Sequence, residues 1–173
     1  GQGLDPTKVC FDLASSFAAL VAGEAIARRV VDLCRFDDSS IVENLYLEQI
    51  RSGGFPSDGD AYLHRYRLRP GKRRAEESRL SDAPIELPRI NYRTRNGKDY
   101  RWVYGVGNGP SDGDAPFDRL TKIDVRTGEA IHWRETGALV GEPVFVAGPK
   151  GAAEDDGVLL SLVVLLATGA VAA

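Results

Sequence analysis

Glu86 and Glu142 are the residues whose setting in this sequence most needs a chemical explanation. Each stands in a run of strand-forming residues, "IELPRIN" and "GEPVF". A carboxylate inside an apolar strand is costly to bury unless a donor meets it. The residues alone leave two plain answers open: an exposed strand edge, or an ion pair with a neighbour such as Arg89. The other groups able to do acid–base or metal chemistry are few. They are His64 in "YLHRYRL", His132 in "IHWRE", the acidic triplet of "AEDDG", and Cys10 and Cys34. Two histidines with a carboxylate are the donor set of one common class of iron site. The spacing of His64 and His132 does not build one, and each reads as a surface or packed strand residue. The acidic triplet reads as a turn that starts the last strand rather than as a Ca2+ site. Short acidic side chains supply local hydrogen bonds there, and glycine supplies positive φ.

The bulk numbers narrow the setting. A chain of 173 residues, 43% hydrophobic and 27% charged, is long enough to bury one core, so a single domain over 1–173 is expected. A net charge of -3 gives no reason to expect nucleic acid as a partner. The basic cluster "RLRPGKRRAEESR" also carries Glu76 and Glu77 and reads as a solvated turn. Cys10 and Cys34 fit no zinc spacing and read as reduced thiols, which places the chain in the cytoplasm. The sequence contains no methionine, which is consistent with a fragment or a processed product. The uncharged run "GVLLSLVVLLATGAVAA" falls slightly short of a bilayer span and reads as a buried strand followed by a turn. Contact of this tail with a membrane surface is the alternative.

Positioning elements follow from periodicity. "DLASSFAALVAGEAIARRVVDLC" is Ala-rich and reads as helix-like, with Phe17, Val21, Glu24 and Arg28 at helical spacing. "SSIVENLYLEQIRSGG" reads as a helix capped by Ser39 or Ser40, with Glu43 in a capping box and Gly53-Gly54 as the stop. A helix-containing segment is thus expected over 12–53. From residue 60 the pattern turns to alternation, and β hairpins are expected over 60–167. Asn96-Gly97 joins one pair of strands and "RTGE" another, with Gly128 available for positive φ. Short strands at this spacing indicate a sandwich, barrel or propeller.

Several blocks, in order, resemble one family. "VVDLCRFDDSSIVENLYLEQIRSGG", "IELPRINYRTRNGKDYRWVYGVGNG", "FDRLTKIDVRTGEAIHW" and "GEPVFVAGPKGAAEDDGVLLSLVVL" look like the C-terminal part of the carotenoid cleavage dioxygenases. That family includes the retinal pigment epithelial membrane protein. The likeness runs from Val30 to Leu165. It implies a seven-bladed β-propeller with a non-haem Fe(II) on its axis, of which this chain would supply about three blades plus one or two helices in the N-terminal third. The family's iron is held by four histidines, and three glutamates accept hydrogen bonds from the outer nitrogens of histidine ligands. The implied reaction is O2-dependent cleavage of a polyene double bond in a carotenoid or apocarotenoid, giving two carbonyl products. Glu86 and Glu142 match two of the glutamate positions. A ligating imidazole would then be the donor each carboxylate needs, and the bond would fix the ring's tautomer and orientation.

The histidines themselves do not match. Where the family has a block like "FHHVNAYEDG", this chain has "FAALVAGEAI". Ala18 and Ala19 stand at the His-His positions, and Val21 at the asparagine. A further family histidine lies in a block like "FHG" beyond Ala173, and two more would lie upstream of Gly1. The resemblance therefore implies Fe(II) for the family but no iron held by this chain alone. Without imidazoles, a buried Glu86 or Glu142 should raise its pKa or find another donor. An incomplete propeller should also self-associate through open sheet edges or the "VLLSLVVLLA" strand. A non-catalytic β module that binds an apolar ligand or a partner chain is the competing expectation.

Overall fold

The computed structural model describes residues 17–20, 29–44, 46–52, 60–69, 72–109, 117–149 and 153–165. Among these the order is β1 (Phe17–Leu20), β2 (Arg29–Arg35), α1 (Ser40–Asn44), α2 (Leu47–Arg51), β3 (Tyr62–Leu68) and β4 (Glu76–Pro84). Then follow β5 (Glu86–Arg89), α3 (Tyr92–Arg95), β6 (Trp102–Gly107), β7 (Arg119–Asp124) and β8 (Ala130–Arg134). The last strands are β9 (Ala138–Val140), β10 (Val144–Ala147), β11 (Gly157–Leu160) and β12 (Val163–Leu165). Strands β1 to β4 form one four-stranded sheet in chain order, and β5 to β8 form a second. Strand β9 pairs with β12 and β10 with β11, all antiparallel, to make a ribbon. The protein is mainly β, as a partial propeller requires: two four-stranded blades and part of a third.

The helix expected over Asp12–Cys34 is corrected at 17–20 and 29–34, while residues 12–16 and 21–28, with Val21, Glu24 and Arg28, lie outside the described residues. Residues 17–20 and 29–35 are strands, paired Phe17↔Asp32 through Leu20↔Arg29. Alanine's helix propensity is a weak preference. Here Val30 and Val31 sit between two strand partners, β1 and β3, and the ladder decides. The segment that holds Ala18 and Ala19 is thus a strand. The helical segment after it is real but broken into α1 and α2. At its start the Asp38 Oδ1 accepts the Ser40 N–H at 2.8 Å, and the Ser39 carbonyl accepts the Val42 N–H at 3.0 Å. The Tyr46 N–H bonds to the Glu43 carbonyl, an i→i−3 bond that closes α1 early.

The first two blades share a core of Cys34, Phe36, Leu63, Ile85, Val103 and Ile123, among others. Cys34 is buried there as a thiol, and Cys10 lies outside the described residues. One polar cluster crosses this apolar seam. Asp32 is 1% exposed, and Arg65 donates to both of its oxygens, at 2.9 and 2.7 Å. The Tyr100 hydroxyl, from the strand approach of the second blade, donates to the same carboxylate. Two sheets are thereby tied through one buried anion.

The "RTGE" hairpin forms as expected. Gly128 has φ +81, and its N–H reaches the Asp124 carbonyl at 2.8 Å. Strands β5 and β6 also pair, but their connector is longer than a two-residue hairpin. It holds the helical turn α3 before Gly97 at φ +72. The C-terminal run forms strands β11 and β12, which are not buried. Val158, Leu160, Leu162, Val164 and Leu165 are all exposed. Only one face of the ribbon meets the second blade, where Phe145 stacks on Tyr104 at 5.0 Å. No helix among the described residues is long and apolar enough to cross a membrane.

Candidate functional site

Glu86 owes its placement to a bulge. Strand β5 pairs Glu86↔Val106 and Arg89↔Tyr104, so three steps on β5 answer two on β6. Leu87 absorbs the extra residue with φ +49. Side chains two apart on β6 share a face, so the bulge brings Glu86 and Arg89 to one face of the second blade. Gly105 permits this approach, since a Cβ there would lie 2.5 Å from the Glu86 carbonyl oxygen. On the other side the Ile85 N–H bonds to the Ala61 carbonyl at 2.9 Å, and Tyr62 pairs with Pro84. Carrying that register on by two residues sets Asp60 opposite Glu86. Burial, with the Asp60 carboxylate as the smaller cause, pushes the Glu86 carboxyl up to about 7. Burial raises Asp60 as well, against the pull of Arg119. Asp60 was not legible as Glu86's neighbour, because the two are brought together only by the pairing of distant strands.

Glu142 sits at the kink of the ribbon, between β9 and β10. The Gly141 N–H bonds to the Leu162 carbonyl at 2.8 Å, and Ser161 Oγ donates to the Gly141 carbonyl at 2.7 Å. Pro143 beside it is fully buried. So anchored, the Glu142 carboxylate meets the Arg89 guanidinium in an ion pair. The ion-pair reading of the sequence is the one realised at Glu142. At Glu86 no hydrogen bond or ion pair is seen among the described residues, and burial raises its pKa instead. In place of an imidazole, the half-buried Glu142 has a guanidinium, while the more buried Glu86 has a raised pKa.

The two histidines stand apart from these carboxylates and from each other. His64, on β3, lies with Nδ1 2.9 Å from Glu77 Oε1. Arg35 and the Tyr66 hydroxyl converge on the same oxygen. Burial is the main cause lowering the His64 pKa, and Arg35 adds to it while Glu77 opposes. His132, on β8, has Nδ1 3.1 Å from Thr121 Oγ1. Burial and then Arg119 lower its pKa. Ala18 and Ala19 fall in β1 and have no donor atoms in their side chains. No group of three or more His, Cys, Asp or Glu among the described residues is arranged to hold a metal ion. With both imidazoles engaged on separate sheets, the described residues do not fit the family's iron centre.

The acidic triplet starts β11, as the sequence indicates, and also does more. Glu154 Oε1 accepts the Arg101 and Trp102 N–H groups at 2.6 and 2.8 Å. Arg95 Nε lies 3.2 Å from its other oxygen. Asp155 pairs with Lys122 at 2.6 Å, which holds that cation 4.0 Å over the Trp102 ring. The turn therefore pins the ribbon to the second blade.

The comparisons with known proteins agree with this architecture. The family described as retinal pigment epithelial membrane protein matches residues 6–171. That match reaches upstream of Val30, where the resemblance carried by the sequence blocks begins. A carotenoid isomerooxygenase of Galleria mellonella is 35% identical over 152 residues, covering 82% of this chain and 28% of that protein. The human β,β-carotene 15,15'-dioxygenase is 42% identical over 81 residues, covering 46% and 14%. The structure of the cobalt-substituted Synechocystis apocarotenoid oxygenase superposes with a TM-score of 0.67 at 26% identity, covering 83% and 30%. The chain spans less than a third of the length of each of these relatives. With a match over nearly its whole length and blades that superpose on a solved oxygenase, the chain belongs to the retinal pigment epithelial membrane protein family of carotenoid oxygenases.

Proposed function

We propose that this chain is a section of a carotenoid oxygenase propeller that supplies two outer carboxylates, Glu86 and Glu142, to a non-haem Fe(II) centre. The reaction of the whole protein would be O2-dependent cleavage of a polyene double bond in a carotenoid or apocarotenoid. The supporting observation is the β5 bulge, which turns Glu86 toward the same face as the Arg89–Glu142 pair. Carboxylates so placed can orient imidazoles brought by other parts of a propeller. The chain alone does not hold iron, since its own histidines are engaged elsewhere. We place it in the cytoplasm, with the periphery of a membrane as the alternative.

Iron content per chain after anaerobic reconstitution with Fe(II) tests this reading. The expected value is near zero. A value near one iron per chain would overturn it and would make an assay against carotenoids and apocarotenoids the next step.

A second reading is a non-catalytic β module for an apolar ligand or partner chain. One observation favours it: an open cavity of about 430 Å³ between the second blade and the ribbon, lined by Leu120, Ile131, Trp133, Leu159 and Val163. Quenching of tryptophan fluorescence by an apocarotenoid, without iron, would select this reading.

A further inference from the structure

The hairpin of β3 and β4 has its last paired residues at Arg67↔Glu76. Between the two strands stand Lys72, Arg73, Arg74 and Ala75, all exposed. The Lys72 N–H donates to the Arg69 carbonyl at 3.1 Å. The Arg69 guanidinium meets both oxygens of Glu76, at 2.7 and 2.8 Å. The base of the hairpin is therefore held, while its basic stretch is left to solvent. Exposed tips whose backbone lies outside a ladder are where proteases nick a folded chain. A serine protease with a carboxylate in its S1 pocket takes a Lys or Arg side chain there. Other basic residues are less open to it. Arg65, Arg79 and Lys122 lie within strand ladders, and Arg95 within α3. The Arg101 N–H is held by Glu154, and the Arg126 N–H by Asp124 Oδ1 at 2.9 Å in the tight "RTGE" turn. Each of these must leave its bonds by local opening before a protease can take it.

We infer that the Arg74–Ala75 peptide bond is a processing site for a serine protease specific for basic residues, and that the cut chain stays together as two segments, 1–74 and 75–173. The step is a hydrolysis. Water adds across the bond, leaving a carboxylate on Arg74 and an amine on Ala75, and no other reactant is needed. The two segments share contacts that the cut does not touch. The β3–β4 ladder joins them from His64↔Arg79 to Arg67↔Glu76. The Ile85 N–H donates to the Ala61 carbonyl at 2.9 Å. Leu63 lies in the same core as Ile85, Val103 and Ile123. The Tyr100 hydroxyl donates to the buried Asp32. Cleavage thus removes one covalent link from a join that is already buried.

Limited digestion of the whole chain with trypsin, read by mass spectrometry, tests this. A fragment that begins at Ala75 should accumulate before any cut at the other described basic residues. The triple variant K72S/R73S/R74S should slow the first cut among the described residues roughly ten-fold, since the remaining sites must wait for local opening. Its far-UV circular dichroism should match that of the parent, because the three side chains are exposed. An earlier cut at Arg101 or Arg126 would overturn the inference, and so would a triple variant cut as fast as the parent. A protease that demands paired basic residues should make the same cut, and its refusal would overturn the assignment as a processing site. The cut chain should elute from a native sizing column with the parent and come apart only in urea. Separation without denaturant would overturn the two-segment assembly.

Discussion

Arg89 and Glu142 join the second blade to the ribbon through one ion pair, formed between a bulged strand and a kinked one. The pair takes the place that a histidine partner holds in the reading of Glu142 as an iron-supporting carboxylate. Both side chains remain about a third exposed or less, at 26% and 35%. Its coupling energy should therefore be modest, about 0.5 to 1 kcal/mol once solvent screening is allowed for. A double-mutant cycle with Arg89→Gln and Glu142→Gln, read by urea denaturation, measures it. A coupling of zero would mean the pair contributes no stability to the join.

Glu86 should make stability fall as pH rises through the weakly acidic range. Its carboxyl titrates at about 7 when folded, against 4.5 as the ordinary value. Between these values the folded chain holds a proton that the unfolded chain has released. Stability is thus full below about 4.5, declines toward 7 and is level above. The decline is worth about 2 to 3 kcal/mol, less where water reaches the group. Other groups titrate in the same range, so the difference between the parent and Glu86→Gln isolates this one. Urea midpoints taken at about pH 5 and about pH 8 should separate in the parent by more than in the variant.

Asp32 should be the most sensitive polar position in the fold. It is fully buried, and burial raises its pKa despite Arg65. Asp32→Ala leaves Arg65 with its charge partly buried and unmatched, which costs about 3 to 5 kcal/mol. Tyr100→Phe removes a single donor and costs about 1 to 2 kcal/mol. Equilibrium denaturation of the two variants should show that order. Equal losses would indicate that Tyr100, not Arg65, carries the cluster.

Gly105→Ala tests the close approach that sets the Glu86 position. The added Cβ would meet the Glu86 carbonyl oxygen and Ile85 Cγ1, both at 2.5 Å. Overpacking of this kind costs about 1 to 3 kcal/mol. The melting temperature should drop by several degrees, and the carboxyl resonance of Glu86 should move. An unchanged melt would mean β6 can shift away from β5 freely.

The readable parts of this fold are the local ones. The "RTGE" turn needs only Gly128 and its neighbours, and "AEDDG" starts a strand by the same local logic. The Ala-rich segment before Cys34 misleads because propensity is local, while its strand state comes from the β1–β2 ladder and from the β2–β3 ladder, whose partners lie 27 to 39 residues apart. Asp60 facing Glu86, Tyr100 reaching Asp32 and Glu154 reaching the β6 amides are all long-range. No spacing rule points to them. The C-terminal run was legible as strand but not as exposed, since composition reports what a strand prefers and not whether a neighbour is there to cover it. At the candidate site, both glutamates and the Arg89 option were visible. What each carboxylate finds in place of an imidazole had to come from the packed chain.

The two seams of the molecule are built from different materials. The first and second blades meet through Leu63, Ile85, Val103 and Ile123, with one shielded anion. The second blade and the ribbon meet largely through Glu154, the Asp155–Lys122 pair and the Arg89–Glu142 pair, nearer to solvent. Salt acts on these in opposite directions. Ions screen partly exposed pairs, while a strongly hydrated anion such as sulfate strengthens apolar burial. Raising the sulfate concentration should therefore tighten one join while loosening the other, so that the ribbon separates first and as a unit.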